Sequence, residues 1–155
     1  MQKITPFLWF DGNAEDAVNF YTVVFPGSAV KNKSYYGEGL PAPAGTLMVA
    51  SFVLHGQEFI ALNGGPQFRF TEAVSFVIDC ETQEEVDHYW NKLSADGAEQ
   101  PCGWLRDKFG LSWQVVPRIL TELLADKDAA KAQRVMQAML QMKKIIIADL
   151  LAAEG

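Results

Sequence analysis

The sequence predicts an α+β fold, in which two βαβββ modules form a curved mixed sheet and helices follow at the C-terminal end. Three observations carry this. A strand–helix–strand order recurs about 70 residues apart, with Asn13 to Gly27 and Thr82 to Gly97 in matching places. Between and after these helices, apolar residues alternate with a period of two. From Arg118 onward the apolar period becomes helical.

In order along the chain, Ile4 to Phe10 reads as an aromatic-rich strand that Asp11-Gly12 breaks. Asn13 is a good N-cap with Asp16 in capping-box position, and Ala14, Ala17, Val18, Tyr21 and Val24 make one apolar face. Pro26-Gly27 ends that helix. Strands follow at 28–36, 46–54 and 57–63, separated by the Gly/Pro-rich loop 37–45 and the tight turn His55-Gly56. After a linker at 64–72, 73–79 is a strand. Thr82 caps a helix with Glu85 completing its box, Val86, Tyr89, Trp90 and Leu93 form its buried stripe, and Gly97 closes it. Tyr21 matches Trp90, and the turn glycine Gly56 matches Gly110. The stretch 98–106 either contains one abbreviated strand or bends to serve two. In the returning strand Leu111, Trp113 and Val115 point one way, while Ser112, Gln114 and Val116 point the other. Asp128 caps a helix striped by Ala132, Val135, Met136, Met139 and Leu140, and a last short helix spans 148–153. The organisation is one domain over 1–155: module one 1–63, linker 64–72, module two 73–117 and extension 118–155.

With 155 residues and 49% hydrophobic content, the chain can bury a core without disulfides or metal. A net charge of −6 argues against nucleic acid or an anionic membrane as partner. No segment has the length of a membrane span, and the start has no signal-peptide pattern, so a cytoplasmic location is expected. The two cysteines, Cys80 and Cys102, are too isolated for a zinc motif and read as ordinary reduced thiols. His55 sits at a loop tip and His88 on a helix surface. Asp107 with Glu58, or Asp11 with Asp79, would be the acid/base pairs to consider, although turn chemistry explains Asp11 and Asp79 better.

The strings ITPFLWFDGNAEDAVNFY (4–21), ALNGGPQFRFTEAVSFVIDC (61–80), WLRDKFGLSWQVVP (104–117) and VMQAMLQMKK (135–144) resemble the PhnB-like family. That family is often labelled as a 3-demethylubiquinone-9 3-methyltransferase domain and lies within the vicinal-oxygen-chelate superfamily of glyoxalase, bleomycin resistance and dioxygenase proteins. The resemblance covers almost the whole chain and implies a glyoxalase-like cup with helices outside it, commonly as a homodimer. It departs at Ile146, where related sequences tend to carry a helix-capping Asp.

The superfamily's usual divalent metal would take ligands from four strands. By the resemblance, those positions here are Thr5 or Pro6, Ile60, Ala73 and Gln114. Isoleucine, alanine and proline donate nothing, and one amide oxygen does not retain a transition metal by itself, so no metal and no cofactor is expected. The methyltransferase label implies S-adenosylmethionine, but Gly37-Glu38-Gly39 is followed by a loop and a strand, not by the helix that such a site requires. The candidate ligand-binding residues are Gln114, Trp9, Phe52, Ile60, Ser112, Arg69 and Trp104. Phe7 or Leu8 and Ser75 are further lining positions, Phe10 is the alternative to Trp9, and Phe68 with Arg69 and Trp104 is expected over the mouth. These residues suit a small apolar or aromatic molecule, and the function expected is metal-free small-molecule binding. The alternative is an enzyme acting on a small aromatic or quinone-like substrate, as a lyase, dioxygenase or methyltransferase. Residues 128–153 are expected to contribute to the dimer interface or to the closure of the sheet edge.

Overall fold

The computed structural model describes residues 2–155. The chain divides into two compact units, one ending at Phe70 and one running from Thr71 to Gly155. In the first, β1 (Phe7–Phe10), α1 (Ala14–Val24), β2 (Ala29–Tyr35), β3 (Leu47–Leu54) and β4 (Gln57–Asn63) build a four-stranded mixed sheet of order β1-β4-β3-β2. β1 runs parallel to β4, and the other pairs are antiparallel. In the second, β5 (Ser75–Cys80), α2 (Gln83–Ser94), β6 (Ala98–Glu99), β7 (Trp104–Arg106) and β8 (Ser112–Pro117) repeat that topology as β5-β8-β7-β6. The internal duplication read from the caps and stripes is therefore present strand for strand.

Each sheet is covered by its own helix. Tyr21 stacks on Phe52 with ring centroids 6.4 Å apart, and Phe52 stacks on Phe59 at 5.5 Å. Ala17, Val18 and Tyr21 are fully buried beneath α1. In the second unit Val86, Tyr89, Trp90 and Leu93 of α2 are buried, as are Leu105, Trp113 and Val115 of the sheet. Tyr21 and Trp90, the matched aromatics, occupy the same place in their halves.

The two helices are capped differently. Thr82 accepts the Glu85 amide at 3.2 Å, while Glu85 Oε2 accepts the Glu81 amide at 2.8 Å. Asn13 makes no side-chain cap bond, so the capping box expected with Asp16 does not form. Asn63 of β4 takes its place: its Oδ1 accepts the Ala14 amide at 2.9 Å and its Nδ2 donates to Leu47 O at 2.9 Å. A rigid buried amide at a strand end offers the helix start the acceptor that its own N-cap residue does not reach.

The region 98–106 bends and serves two strands, with residues 100–103 leaving the ladder between β6 and β7. At the β7–β8 turn the buried Asp107 accepts the amides of Phe109 (2.9 Å) and Leu111 (3.1 Å) and the Trp113 indole N–H (2.9 Å). After Pro117 come α3 (Arg118–Leu124), α4 (Ala129–Leu140) and α5 (Ile147–Glu154). Asp128 caps α4 as expected, accepting the Ala130 amide at 3.0 Å. These helices build their own core around Leu120, Leu123, Val135, Ile145 and Leu150. Along the α4 stripe only Val135 is buried, while Met136 and Leu140 stay exposed. Among the described residues no helix is long and apolar enough to cross a membrane.

Candidate functional site

Strand alternation gives each sheet one face toward its helix and one face away from it. The first unit's register decides the open alternatives for β1. Phe7 pairs with Ile60 and Trp9 with Leu62, and these residues share the face away from α1. Leu8 and Phe10 are buried on the helix side. Ile60 lies opposite Ser51, whereas Phe52 lies opposite Phe59. Ile60 and Phe52 therefore point to opposite faces. Phe52 is 0% exposed in the core under α1 and does not line the face that carries Trp9 and Ile60; Ser51 holds the position expected for it.

Trp9 is held in place by the segment that follows β4. Its Nε1 donates to Gly65 O at 2.9 Å, and Phe68 meets its ring edge-on at 4.9 Å. A Cβ at Gly64 would sit 2.4 Å from the indole, so only glycine lets the backbone pass this close. Phe70 packs edge-on against Phe10 at 5.2 Å. Arg69, between these two aromatics, is exposed. Residues 64–70 thus fold as part of the first unit.

In the second unit the open face is built from β5, β8 and β7. Val77, Gln114 and Trp104 form one cross-strand row, and Ser75, Ser112 and Arg106 form the next. Gln114 Nε2 donates to Ser75 Oγ at 3.0 Å. This hydrogen bond orients the amide, and Oε1 accepts no bond from any described residue. Val77, 60% exposed, and the half-buried Trp104 flank it on the neighbouring strands. Ser112 is 0% exposed, and its Oγ has no hydrogen-bond partner among the described residues. The residue that meets Gln114 on the parallel strand is Ser75, while Ala73 lies in the turn before β5. β5 starts two residues later than the strand expected at 73–79. Val77, missed in the sequence, follows from the same alternation once Ser75 is placed.

This donor chemistry does not fit a divalent metal. At the expected positions the second unit offers Ala73 and the Gln114 amide, with the Ser75 hydroxyl bonded to that amide, and the first offers Ile60 with Thr5 or Pro6. None of these is anionic or an imidazole, so nothing offsets the stripping of water from a cation. Among the described residues no three His, Cys, Asp or Glu side chains gather where they could hold a metal ion. A Rossmann-type S-adenosylmethionine site does not fit either, because the Gly37–Gly39 loop joins two strands, β2 and β3.

The other chemistry-bearing residues are committed to structure. Asp107 is saturated by three N–H donors. Asp79 is paired with Arg118 at 2.7 Å, and Glu81 joins the same guanidinium at 3.1 Å. Burial pushes the Cys80 thiol up to about 12, with Glu85 and Asp79 adding to the shift, so it is no nucleophile at neutral pH. His55 and His88 are exposed, each edge-on to an aromatic ring, Phe25 and Tyr89 respectively.

Known proteins place this chain. The family described as 3-demethylubiquinone-9 3-methyltransferase matches residues 2–116. A putative 3-demethylubiquinone-9 3-methyltransferase, PhnB protein, of Bacillus cereus is similar at 43% identity, over 75% of this chain and 99% of that one, with a TM-score of 0.71. A protein of Pseudomonas aeruginosa is 22% identical over 76% of this chain and 98% of its own, with a TM-score of 0.64. A fosfomycin resistance protein of Listeria monocytogenes, complexed with Mn(II) and sulfate ion, is 15% identical over 80% and 97%, with a TM-score of 0.54. The last two likenesses show the fold alone. A search of curated proteins gave no match. The chain belongs to the 3-demethylubiquinone-9 3-methyltransferase, PhnB-like family.

Proposed function

We propose that the chain binds a small neutral molecule with an apolar or aromatic body on the open face of its second sheet, without a metal. One observation carries this reading: an oriented amide and an unsatisfied hydroxyl lie side by side among apolar neighbours. Gln114, fixed by Ser75, offers Oε1 as an acceptor. The Ser112 hydroxyl is buried without a partner, a state that costs about 1–3 kcal/mol and favours any ligand acceptor that reaches this row. Val77 and Trp104 flank the amide with apolar surface. The central rows carry hydroxyls, an amide, an indole and the Arg106 guanidinium, which lies 3.9 Å from Glu72 Oε1, but no carboxylate and no imidazole of their own. Such a face orients a ligand and offers no strong base or nucleophile.

Mass spectrometry of the molecules that co-purify with the protein tests the reading. It should find an organic molecule of this kind, and its occupancy should fall in Gln114→Leu. A protein that carries none, and that also ignores the neutral aromatic probe N-phenyl-1-naphthylamine, would refute it. The competing reading is an enzyme acting on an aromatic or quinone-like substrate, and it rests on the family's methyltransferase description. Turnover of the co-purified molecule, lost in Gln114→Leu, would favour that reading. We also propose a homodimer, in which a second copy covers the exposed Met136, Leu140 and Leu151. Sedimentation at tens of micromolar, a range chosen roughly around common dimer affinities, should show two chains per particle.

A further inference from the structure

We propose that the C-terminal extension is a positioning device for this ligand face, and that Gln83 of α2 anchors it. The proposal rests on the reading of the Gln114 row as the site, and it assigns a function to a segment that begins where the family match ends, at residue 116.

The argument starts at the weakest part of the second sheet. β6 has two residues and β7 three, and between them residues 100–103 leave the ladder. Cys102 and Gly103 both adopt positive φ, 63° and 83°. A segment this short and this strained needs outside support to hold one conformation. The extension provides it. The Cys102 amide donates to Met142 O and the Gly103 amide to Lys143 O, each at 2.8 Å. On its other side Gly103 O accepts the Val115 amide at 2.8 Å. The Gly103 peptide is thus clamped between the extension and β8. A Cβ there would come within 2.9 Å of Val115 O and 3.1 Å of Ile145 Cγ1. The next residue is Trp104, the cross-strand partner of Gln114.

One side chain of α2, Gln83, in turn holds the extension on both sides of Ile146. Gln83 Nε2 donates to Ile145 O at 3.0 Å, and Gln83 Oε1 accepts the Ile147 amide at 2.8 Å. Ile146, at the N-cap of α5, has no polar side chain to do this locally. Gln83 Nε2 also reaches Asp87 Oδ1 at 3.0 Å, and Lys144 pairs with Asp87 at 3.0 Å. Ile145, fully buried, carries this anchoring into the contact with Gly103. The chain of contacts runs from Gln83 through Ile145 and Gly103 to Trp104, and so to the flank of Gln114. Gln83 is a positioning residue that touches no ligand.

The test uses Gln83→Met, which keeps the side-chain length and removes all three of its hydrogen bonds, and the double variant Gln83→Met with Ile146→Thr. The threonine gives α5 a local cap. The ligand-free NMR signals of the Trp104 indole N–H and the Gln114 amide N–H₂ report the geometry directly. They should move in Gln83→Met and return toward wild type in the double variant, and the Kd for N-phenyl-1-naphthylamine should rise about fivefold and recover in parallel. Unmoved Trp104 and Gln114 signals, with the α5 amides losing their protection, would overturn the proposal. Wild-type protein that fails to bind the probe and carries no co-purified molecule would instead sink the ligand reading, and the NMR signals would still decide the positioning. If Gln83→Met does not fold, hydrogen exchange on the wild type decides. Cys102 and Gly103 amides should exchange in step with those of α5, and exchange as fast as that of the 37–45 loop would overturn the proposal.

Discussion

The two halves share one topology but are held together in different ways. In the first, β2, β3 and β4 are seven, eight and seven residues long, and the unit's loose ends are closed from within. Asn63 at the end of β4 caps α1, and the chain after it folds back on Trp9. In the second, the matching β6 and β7 have two and three residues. The helix there caps itself through Thr82, and the carbonyls of residues 142 and 143 accept the Cys102 and Gly103 amides between the short strands. The difference shows what a βαβββ unit requires. The helix start needs an acceptor and the ladder needs length or a substitute for length, but neither has to come from the same place in sequence.

The sharpest test of this contrast lies in the turns. Asp107→Asn sets an amide N–H₂ either against the Trp113 indole N–H or against the Phe109 and Leu111 amides, which share Oδ1. We expect a loss of about 2–3 kcal/mol in urea denaturation. Substituting the exposed His55 in the first unit's equivalent turn by Asn, which tolerates its positive φ of 48°, should change stability by less than about 0.5 kcal/mol. Comparable losses at the two sites would mean that the second unit does not depend on its buried turn carboxylate.

The caps come next in size. Asn63→Leu leaves the Ala14 amide and the Leu47 carbonyl unsatisfied inside the core and should cost about 2 kcal/mol. Thr82→Ala removes a solvent-exposed local cap and should cost about 1 kcal/mol. If thermal melts rank the two the other way, the remote cap is not what holds α1.

A third contrast concerns the open faces. Gln114→Leu should weaken binding of the neutral aromatic probe roughly tenfold while changing stability by less than about 1 kcal/mol, because one part-buried hydrogen bond is lost. Ile60→Ala, on the first unit's face, is the companion measurement. A larger loss of affinity there than in Gln114→Leu would move the site away from the amide.

The smallest effect is the pH response of the anchor. The hydrogen bond from Gln83, with help from Lys144, holds the Asp87 carboxyl below its ordinary value of 3.8. A carboxylate with a lowered folded value stabilises the protein above its unfolded value, and the contribution disappears as pH falls through the folded one. The difference between wild type and Gln83→Met should therefore narrow below about pH 4. A gap that widens as the pH drops would show that Asp87 is not part of the clamp.

Periodicity and capping made most of the fold legible. Strand alternation placed Gln114 and Ser112 on one face and Trp113 on the other, and the Thr82 box and the Asp128 cap appear as read. Phe52 was not legible, because an aromatic in an alternating strand suits either face. Only its pairing opposite Phe59, one step from Ile60, sends it under the helix. Gln83 left no local signal at all. A glutamine on the first turn of a helix looks like any solvated side chain until a segment about sixty residues away is packed beside it.

The amino-acid order by itself determined the duplication, the two amphipathic helices, the extension's own apolar stripe and the poverty of metal donors. Those features depend on residue type and local spacing, which a single chain displays without folding. Tertiary structure alone decided which residue meets which: Ser75 bonded to Gln114, Asn63 and not Asn13 at the start of α1, Gln83 and not Ile146 at the start of α5. In each case a polar group that local sequence left unsatisfied found its partner in a distant segment. The physical reason is that a buried amide or hydroxyl must be hydrogen-bonded but is indifferent to sequence distance, so the pairing becomes visible only when the chain is packed.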